Sequence, residues 1–358
     1  MAHIAYIDHS YHKKTLSNNF LSDMLRNRGN IIDIFWDESW NNKPAIPFNL
    51  VKNYDLVIMF QCRCSSKEKY YRKLHPNVIY IPMLDSYNIQ KGPKKHKGNI
   101  WEPFQGCKII NFSTAMHAIS TSFGLQSFYV KYYQQPINTL LPIDAPRGFF
   151  WLRNENHVSW SLIKTLIYNT HFESFHLHLA PDPESPEPSL PNIEDKNKFN
   201  MKTTNWFEDK QDFLNVLNNS NIYFAPRREE GIGQSFLEAM TRGQCVVAPD
   251  NGTMNEYILH GVNGLLYNQN NPEPLDFTNF LELGKMAKQS AAIGYERWLS
   301  MEDKLEEFIL TPSSKLYHGY YQHVPIIPSR IRIKRNLKKI YIIRKTKRFW
   351  LPLWKFLK

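Results

Sequence analysis

Glu230 and Glu238, separated by seven residues, flank a glycine turn in Ile222-Tyr-Phe-Ala-Pro-Arg-Arg-Glu-Glu-Gly-Ile-Gly-Gln-Ser-Phe-Leu-Glu-Ala-Met-Thr-Arg-Gly-Gln-Cys-Val-Val-Ala-Pro249. The apolar run Ile222 to Phe224 ends at a proline, Gly231 and Gly233 free the backbone, and a helical pattern runs from Gln234 to a glycine stop at Gly243. The block reads as strand, glycine turn and helix. Such a turn opens onto unpaired amide N–H groups and the positive end of a helix dipole, which hold an anion such as a diphosphate without any lysine. Gly231, Ile232, Gly233, Gln234 and Ser235 form that cradle. Position separates the two carboxylates. Glu230 stands just before the turn, facing whatever the phosphate carries. Glu238 lies about one helical turn inside and can accept hydrogen bonds from a vicinal diol. A sugar and a ribose suit them.

The elements that must carry this block appear as short apolar runs. Residues 4–8, 31–36, 55–60, 78–82 and 108–112 are mostly apolar strands separated by helical or loop segments, with crossover helices at Asn18 to Gly29 and Met116 to Gly124. Continuous apolar runs fit a parallel sheet covered on both faces. After a turn-rich stretch around Pro142 and Pro146, a second set begins with Gly148-Phe-Phe-Trp-Leu152. It continues with a helix at 158–169, a strand at 175–180, a helix at 209–219, the glutamate block, and strands at 246–248 and 265–267. Two βαβ sets imply an α/β protein of two Rossmann-like domains with a cleft at the carboxyl ends of their strands. The proline-rich stretch Ala180 to Pro191 reads as an irregular surface loop.

Composition agrees with that division. A chain of 358 residues exceeds the size at which one core usually keeps growing. Cys62, Cys64, Cys107 and Cys245 are too few and too scattered for a disulfide framework, and Cys62-Arg-Cys64 lacks zinc-site spacing, which points to the reducing cytosol. The N-terminus enters a strand pattern at once, without the layout of a signal peptide, and there is no apolar run of membrane-spanning length. Twelve of the 44 basic residues fall in 330–358, which holds no acidic residue, so the rest of the chain carries 32 basic against 33 acidic groups. The net charge of +11 therefore reports one local segment.

The run from Glu230 to Ala248, followed by Asn255-Glu256-Tyr-Ile-Leu-His-Gly261-Val-Asn263-Gly264-Leu-Leu, resembles the donor-binding domain of retaining glycosyltransferases of the family-4 type, which have the GT-B fold. Leu283-Gly-Lys-Met-Ala-Lys to Tyr295-Glu-Arg-Trp298 is similar to their C-terminal helices, which return towards the first domain. The resemblance covers residues 222–310; the N-terminal half matches only in rhythm. It implies an acceptor-side domain at 1–143, a donor domain at 144–290, returning helices at 291–312 and a basic tail at 313–358. It also implies a nucleoside-diphosphate-sugar donor as substrate, no separate cofactor, and catalytic roles for Glu230, at the transferred sugar, and Arg153, at the diphosphate. Glu238 then contacts the donor ribose. The family usually follows its arginine with a lysine, and Asn154-Glu-Asn-His157-Val-Ser-Trp160 offers none. Arg227, Arg228 or His157 could supply that charge, with Arg228 placed among the donor-binding residues. His9 and Asp85, at strand ends of the first domain, are candidates for the acceptor or phosphate side, or else turn and capping residues. His117 reads as structural. No Asp-x-Asp cluster stands at a strand end, so no metal is expected.

The tail carries Ile331, Leu337, Ile340 and Ile343 among its basic residues and finishes Phe349-Trp-Leu-Pro-Leu-Trp354-Lys-Phe-Leu357. Cationic residues with terminal tryptophans and leucines make an interfacial anchor for an anionic membrane. An RNA-binding tail is the rival, and nucleic acid is not expected as a partner. The lysine run 91–97 joins the same basic face or is a solvated loop. The expectation is a cytosolic, peripheral-membrane, metal-independent retaining enzyme. Its acceptor would be a glycan, lipid-linked, made for a surface polysaccharide such as lipopolysaccharide, O-antigen or capsule. The alternatives are a nucleotide-sugar epimerase of similar fold and a degenerate, non-catalytic glycan-binding protein.

Overall fold

The computed structural model describes residues 1–87, 100–182 and 185–316. The basic stretch 330–358 and the lysine run 91–97 lie outside the described residues, so the membrane expectation meets no structural test.

The described chain forms two six-stranded parallel sheets. The first holds β1 (His3–His9), β2 (Ile31–Asp37), β3 (Leu56–Phe60), β4 (Val78–Ile81), β5 (Lys108–Asn111) and β6 (Gln126–Tyr129), in the order β2-β1-β3-β4-β5-β6. The second holds β7 (Arg147–Leu152), β8 (Ser174–Leu179), β9 (Met201–Thr204), β10 (Ile222–Phe224), β11 (Cys245–Pro249) and β12 (Leu265–Tyr267), in the order β12-β11-β10-β7-β8-β9. The helices are α1 (His12–Thr15), α2 (Asn19–Asn27), α3 (Thr114–Ser122), α4 (Trp160–Leu166), α5 (Ile193–Lys198), α6 (Lys210–Asn218), α7 (Gln234–Arg242), α8 (Met254–Tyr257), α9 (Phe280–Leu310) and α10 (Ser313–Leu316). Strands β3, β4, β5, β10 and β11 are buried along their whole length, as strands covered on both faces must be.

Elements that the residue patterns leave out are short and weakly apolar. Strands β6 (Gln-Ser-Phe-Tyr) and β9 (Met-Lys-Thr-Thr) sit at sheet edges with half-exposed residues, and α5 and α8 are one to two turns long. None of these offers enough buried face to print a period on the sequence. The helical segment expected at 291–312 is the second half of the single 31-residue helix α9.

Helix α9 ties the sheets together. Its first half packs on α7 and β11, and an added Cβ at Gly284 would lie 2.1 Å from the Gly243 carbonyl oxygen, so the backbones touch where only glycine fits. Its second half docks on the first domain, where Arg28 reaches Asp303 at 2.6 Å and Glu306 at 3.2 Å. Lys108, fully buried on β5, donates to the carbonyls of Phe308, Ile309 and Thr311 at 2.6, 2.6 and 2.7 Å. One hydrophobic cluster runs unbroken from Ile4, Ile58 and Ile79 through Phe236 and Val246 to Trp298 and Ile309.

Candidate active site

A cleft of about 1520 Å³ opens between the carboxyl ends of the two sheets. Pockets for one small molecule hold roughly 300–1,000 Å³, so this one has room for two reactants. In the second sheet the strand order reverses between β7 and β10, and ligands of such sheets bind in the crevice at that reversal. The chain leaving β7 delivers Arg153 there. The chain leaving β10 delivers Arg227, Glu230 and the glycine turn.

Gly233 is the N-cap of α7 with a φ of 83°, and a Cβ there would meet the Phe236 ring at 1.9 Å, so glycine alone allows this turn. The first-turn amides of α7 have no intrahelical acceptors and open towards the cleft, which Gly231, Ile232, Gly233, Gln234 and Ser235 all line. Glu230 is buried on the same wall, and the Thr253 hydroxyl donates to its backbone oxygen at 2.5 Å. Burial raises its carboxyl to about 7; Arg227 and Arg153 pull it down, while Asp85 and Asp182 push it further up. Glu238, half-exposed on α7, also lines the cleft and pairs with Arg242 at 3.3 Å.

The arginines are arranged around Asp182. Arg153 donates from Nε at 2.9 Å and Nη2 at 2.6 Å to Asp182 Oδ1, with its guanidinium 4.8 Å from the Trp151 ring centroid. Arg227 donates from Nη2 to Asp182 Oδ2 at 2.8 Å, and its Nη1 lies 3.4 Å from Asp85 of the first domain. Burial raises the Asp85 carboxyl above the usual range, opposed by Arg227. Arg228, expected among the donor residues, is turned elsewhere: its Nε donates to Gln269 Oε1 at 2.7 Å, and it is not among the residues lining the cleft. The chain turns after Pro226, so neighbouring arginines face different ways. Gln269 donates in turn to the His157 carbonyl at 2.7 Å. Burial lowers the His157 ring from its ordinary value, and this residue too lies off the cleft.

The opposite wall comes from the first domain. His9, at the end of β1, stacks on Trp40 with ring centroids 5.1 Å apart, and burial holds it below its ordinary pKa. His12 lines the cleft with its Nδ1 2.7 Å from Asp8 Oδ1; Asp8 is fully buried and also accepts from Asn18. Asp85 faces the same space. The cleft thus gathers Arg153, Glu230, the 231–235 turn, Glu238, His9 and Asp85, and leaves out Arg228. His117, taken as structural, has its Nδ1 2.8 Å from the Ser127 hydroxyl. The residue patterns missed Asp182, which sits in the proline-rich loop without any local motif, and the Asp8–His12 pair, whose only signal is a spacing of four across a strand end. Among the described residues no group of three or more His, Cys, Asp or Glu could hold a metal ion. No described helix is long and apolar enough to cross a membrane.

Residues 193–296 match the family of glycosyl transferases group 1, a span that holds α7, Glu230 and Glu238 and covers less than a third of the chain. No curated protein matches the chain by sequence. Among solved structures, the chain is similar to sucrose-phosphate synthase from Thermosynechococcus elongatus, with 13% identity, a TM-score of 0.63, and 86% of this chain and 98% of that chain covered. HepE of Anabaena, solved with UDP and glucose, is 13% identical with a TM-score of 0.53, covering 86% and 99%. The lipopolysaccharide outer core galactosyltransferase WaaB is 12% identical with a TM-score of 0.52, covering 85% and 99%. With two parallel six-stranded sheets facing across a cleft, the chain has the GT-B fold of these glycosyltransferases.

Proposed function

We propose that the protein is a retaining, metal-independent glycosyltransferase that moves a sugar from a nucleoside diphosphate to a glycan acceptor, lipid-linked, in the synthesis of a surface polysaccharide. The observation that carries this reading is the convergence, at one strand-order reversal, of a helix N-terminus, two cleft-lining arginines and the buried Glu230. The amides and Arg153 suit the diphosphate, Glu238 the ribose, and Glu230 the transferred sugar. The wall of His9, Trp40 and Asp85 leaves space for the acceptor. HepE, solved with UDP and glucose, and WaaB, named for lipopolysaccharide, support the donor and acceptor classes.

In the reaction so proposed, the bond from the anomeric carbon to the diphosphate breaks as negative charge gathers on the diphosphate, where fixed dipoles and Arg153 stabilise it. The acceptor hydroxyl bonds to the anomeric carbon on the face the diphosphate leaves, and its proton passes to a diphosphate oxygen. The test is transfer from a panel of UDP-, GDP- and dTDP-sugars to a soluble glycan acceptor in excess EDTA, with the anomeric coupling of the product read by NMR. Transfer with retained configuration is expected. Inversion, or release of a free modified sugar without an acceptor, overturns the reading.

A further inference from the structure

Arg153 and Arg227 come from adjacent strand ends, and both line the cleft; the carboxylate that joins them does not. Asp182 accepts from Arg153 on one oxygen and from Arg227 on the other. It is itself fastened to the end of β7, because its amide donates to the Arg153 carbonyl at 2.8 Å, and Trp151 Nε1 donates to the Ala180 carbonyl at 2.8 Å. The three side chains are 15%, 22% and 19% exposed for Arg153, Arg227 and Asp182, which sets them apart from solvated surface pairs.

Arg227 has donors to spare. Among the described residues its Nε is buried with no hydrogen-bond partner, and its Nη1 reaches only Asp85, at a long 3.4 Å. A buried, unpaired guanidinium N–H on a cleft wall is costly unless a ligand completes it. We infer that Arg227 is the second phosphate-binding cation of the donor site, and that Asp182 is the positioning residue that holds Arg227 and Arg153 as a pair. The inference rests on the donor reading above and deepens it. A diphosphate offers two phosphoryl groups, so each guanidinium takes one while the α7 amides hold the remaining oxygens. Between Arg153 and Trp160 the chain has no lysine, and Arg227 supplies the charge from the neighbouring strand instead. Asp85 gives up its long contact with Arg227 when the anion arrives.

The experiment is calorimetric titration of the full chain with UDP, GDP and inorganic pyrophosphate, on wild type, R227Q, R227K, R228Q and D182N. Loss of a charged hydrogen-bonding group weakens binding by roughly 10- to 150-fold. R227Q is expected to weaken UDP and pyrophosphate within that range, with R227K recovering part, and to lose at least tenfold more affinity than R228Q. D182N is expected to weaken UDP and pyrophosphate binding about tenfold and, in the transfer assay, to raise the donor KM by a similar factor while the acceptor KM holds. Because Asp182 acts through the arginines, D182N costs clearly less in an R227Q background than in wild type. Equal losses in R227Q and R228Q, an R227Q affinity within twofold of wild type, or additive losses in the double variant overturn the assignment and leave the donor reading standing. A wild-type chain that binds none of the three anions overturns the donor reading itself, a result visible before any variant is made.

Discussion

Folding favours the neutral form of Glu230, whereas the proposed contact with hydroxyls of the transferred sugar is stronger from the charged one. Its carboxyl stands at about 7 in the folded chain against an ordinary 4.5, so between these values the folded state binds more protons than the unfolded state. Stability tied to this group is therefore full below pH 4.5 and is lost as pH rises through 7, by on the order of 3 kcal/mol. Glu230→Gln, which copies the neutral form, is expected to raise the unfolding free energy at pH 8 by about 1–3 kcal/mol in urea titrations while lowering kcat at least about 100-fold. In the wild type, log kcat/KM is expected to fall with unit slope below about pH 7. A profile flat from pH 5.5 to 8 would contradict a role for the carboxylate. Glu238 differs because it is half-exposed and its pair with Arg242 adds little stability. A ribose contact is present in ground and transition states alike, so Glu238→Ala is expected to raise the donor KM about tenfold with kcat unchanged. A fall in kcat at constant KM would remove that role.

Helix α9 ends on a cation that belongs to another element. Burial pushes the Lys108 ammonium down to about 7, yet three carbonyls at the negative end of the helix take all three of its N–H bonds, and that geometry belongs to the charged form. Lys108→Met leaves those carbonyls uncapped and is expected to destabilise the protein by roughly 2–4 kcal/mol in denaturant unfolding, with faster hydrogen exchange at 305–310. A loss under 0.5 kcal/mol would show that the cap contributes little. Legibility in the sequence follows the same distances. The strand, turn and helix from 222 to 249 are contiguous, so their glycines, apolar run and glutamates could be read together. Asp182 meets Arg227 across 45 positions, and Arg28 meets Asp303 across 275. No local pattern encodes such pairings. Arg227 and Arg228 were both visible, and what chose between them was Gln269, which holds Arg228 from 41 positions away.

At the scale of the whole molecule, the two domains meet through more than α9. Glu256 on α8 accepts from the Ser113 hydroxyl at 3.1 Å, the Thr114 amide at 2.9 Å and the Tyr129 hydroxyl at 3.0 Å, capping the first turn of α3 in the other domain. Both sheets, the closing helix and these interdomain contacts lie before residue 317. The stretch from Arg330 holds twelve basic residues and a tryptophan-rich end. Each basic residue near an anionic surface contributes on the order of 1 kcal/mol, so engagement of only part of the stretch is enough for binding that weakens with salt. A chain truncated before Arg330 is expected to fold, to use a short soluble acceptor as the full chain does, and to lose co-sedimentation with phosphatidylglycerol vesicles. The full chain is expected to bind those vesicles at low salt and to release them at high salt. Equal sedimentation of the two chains would refute the anchor, and tight RNA binding lost with the truncation would assign these residues to nucleic acid instead.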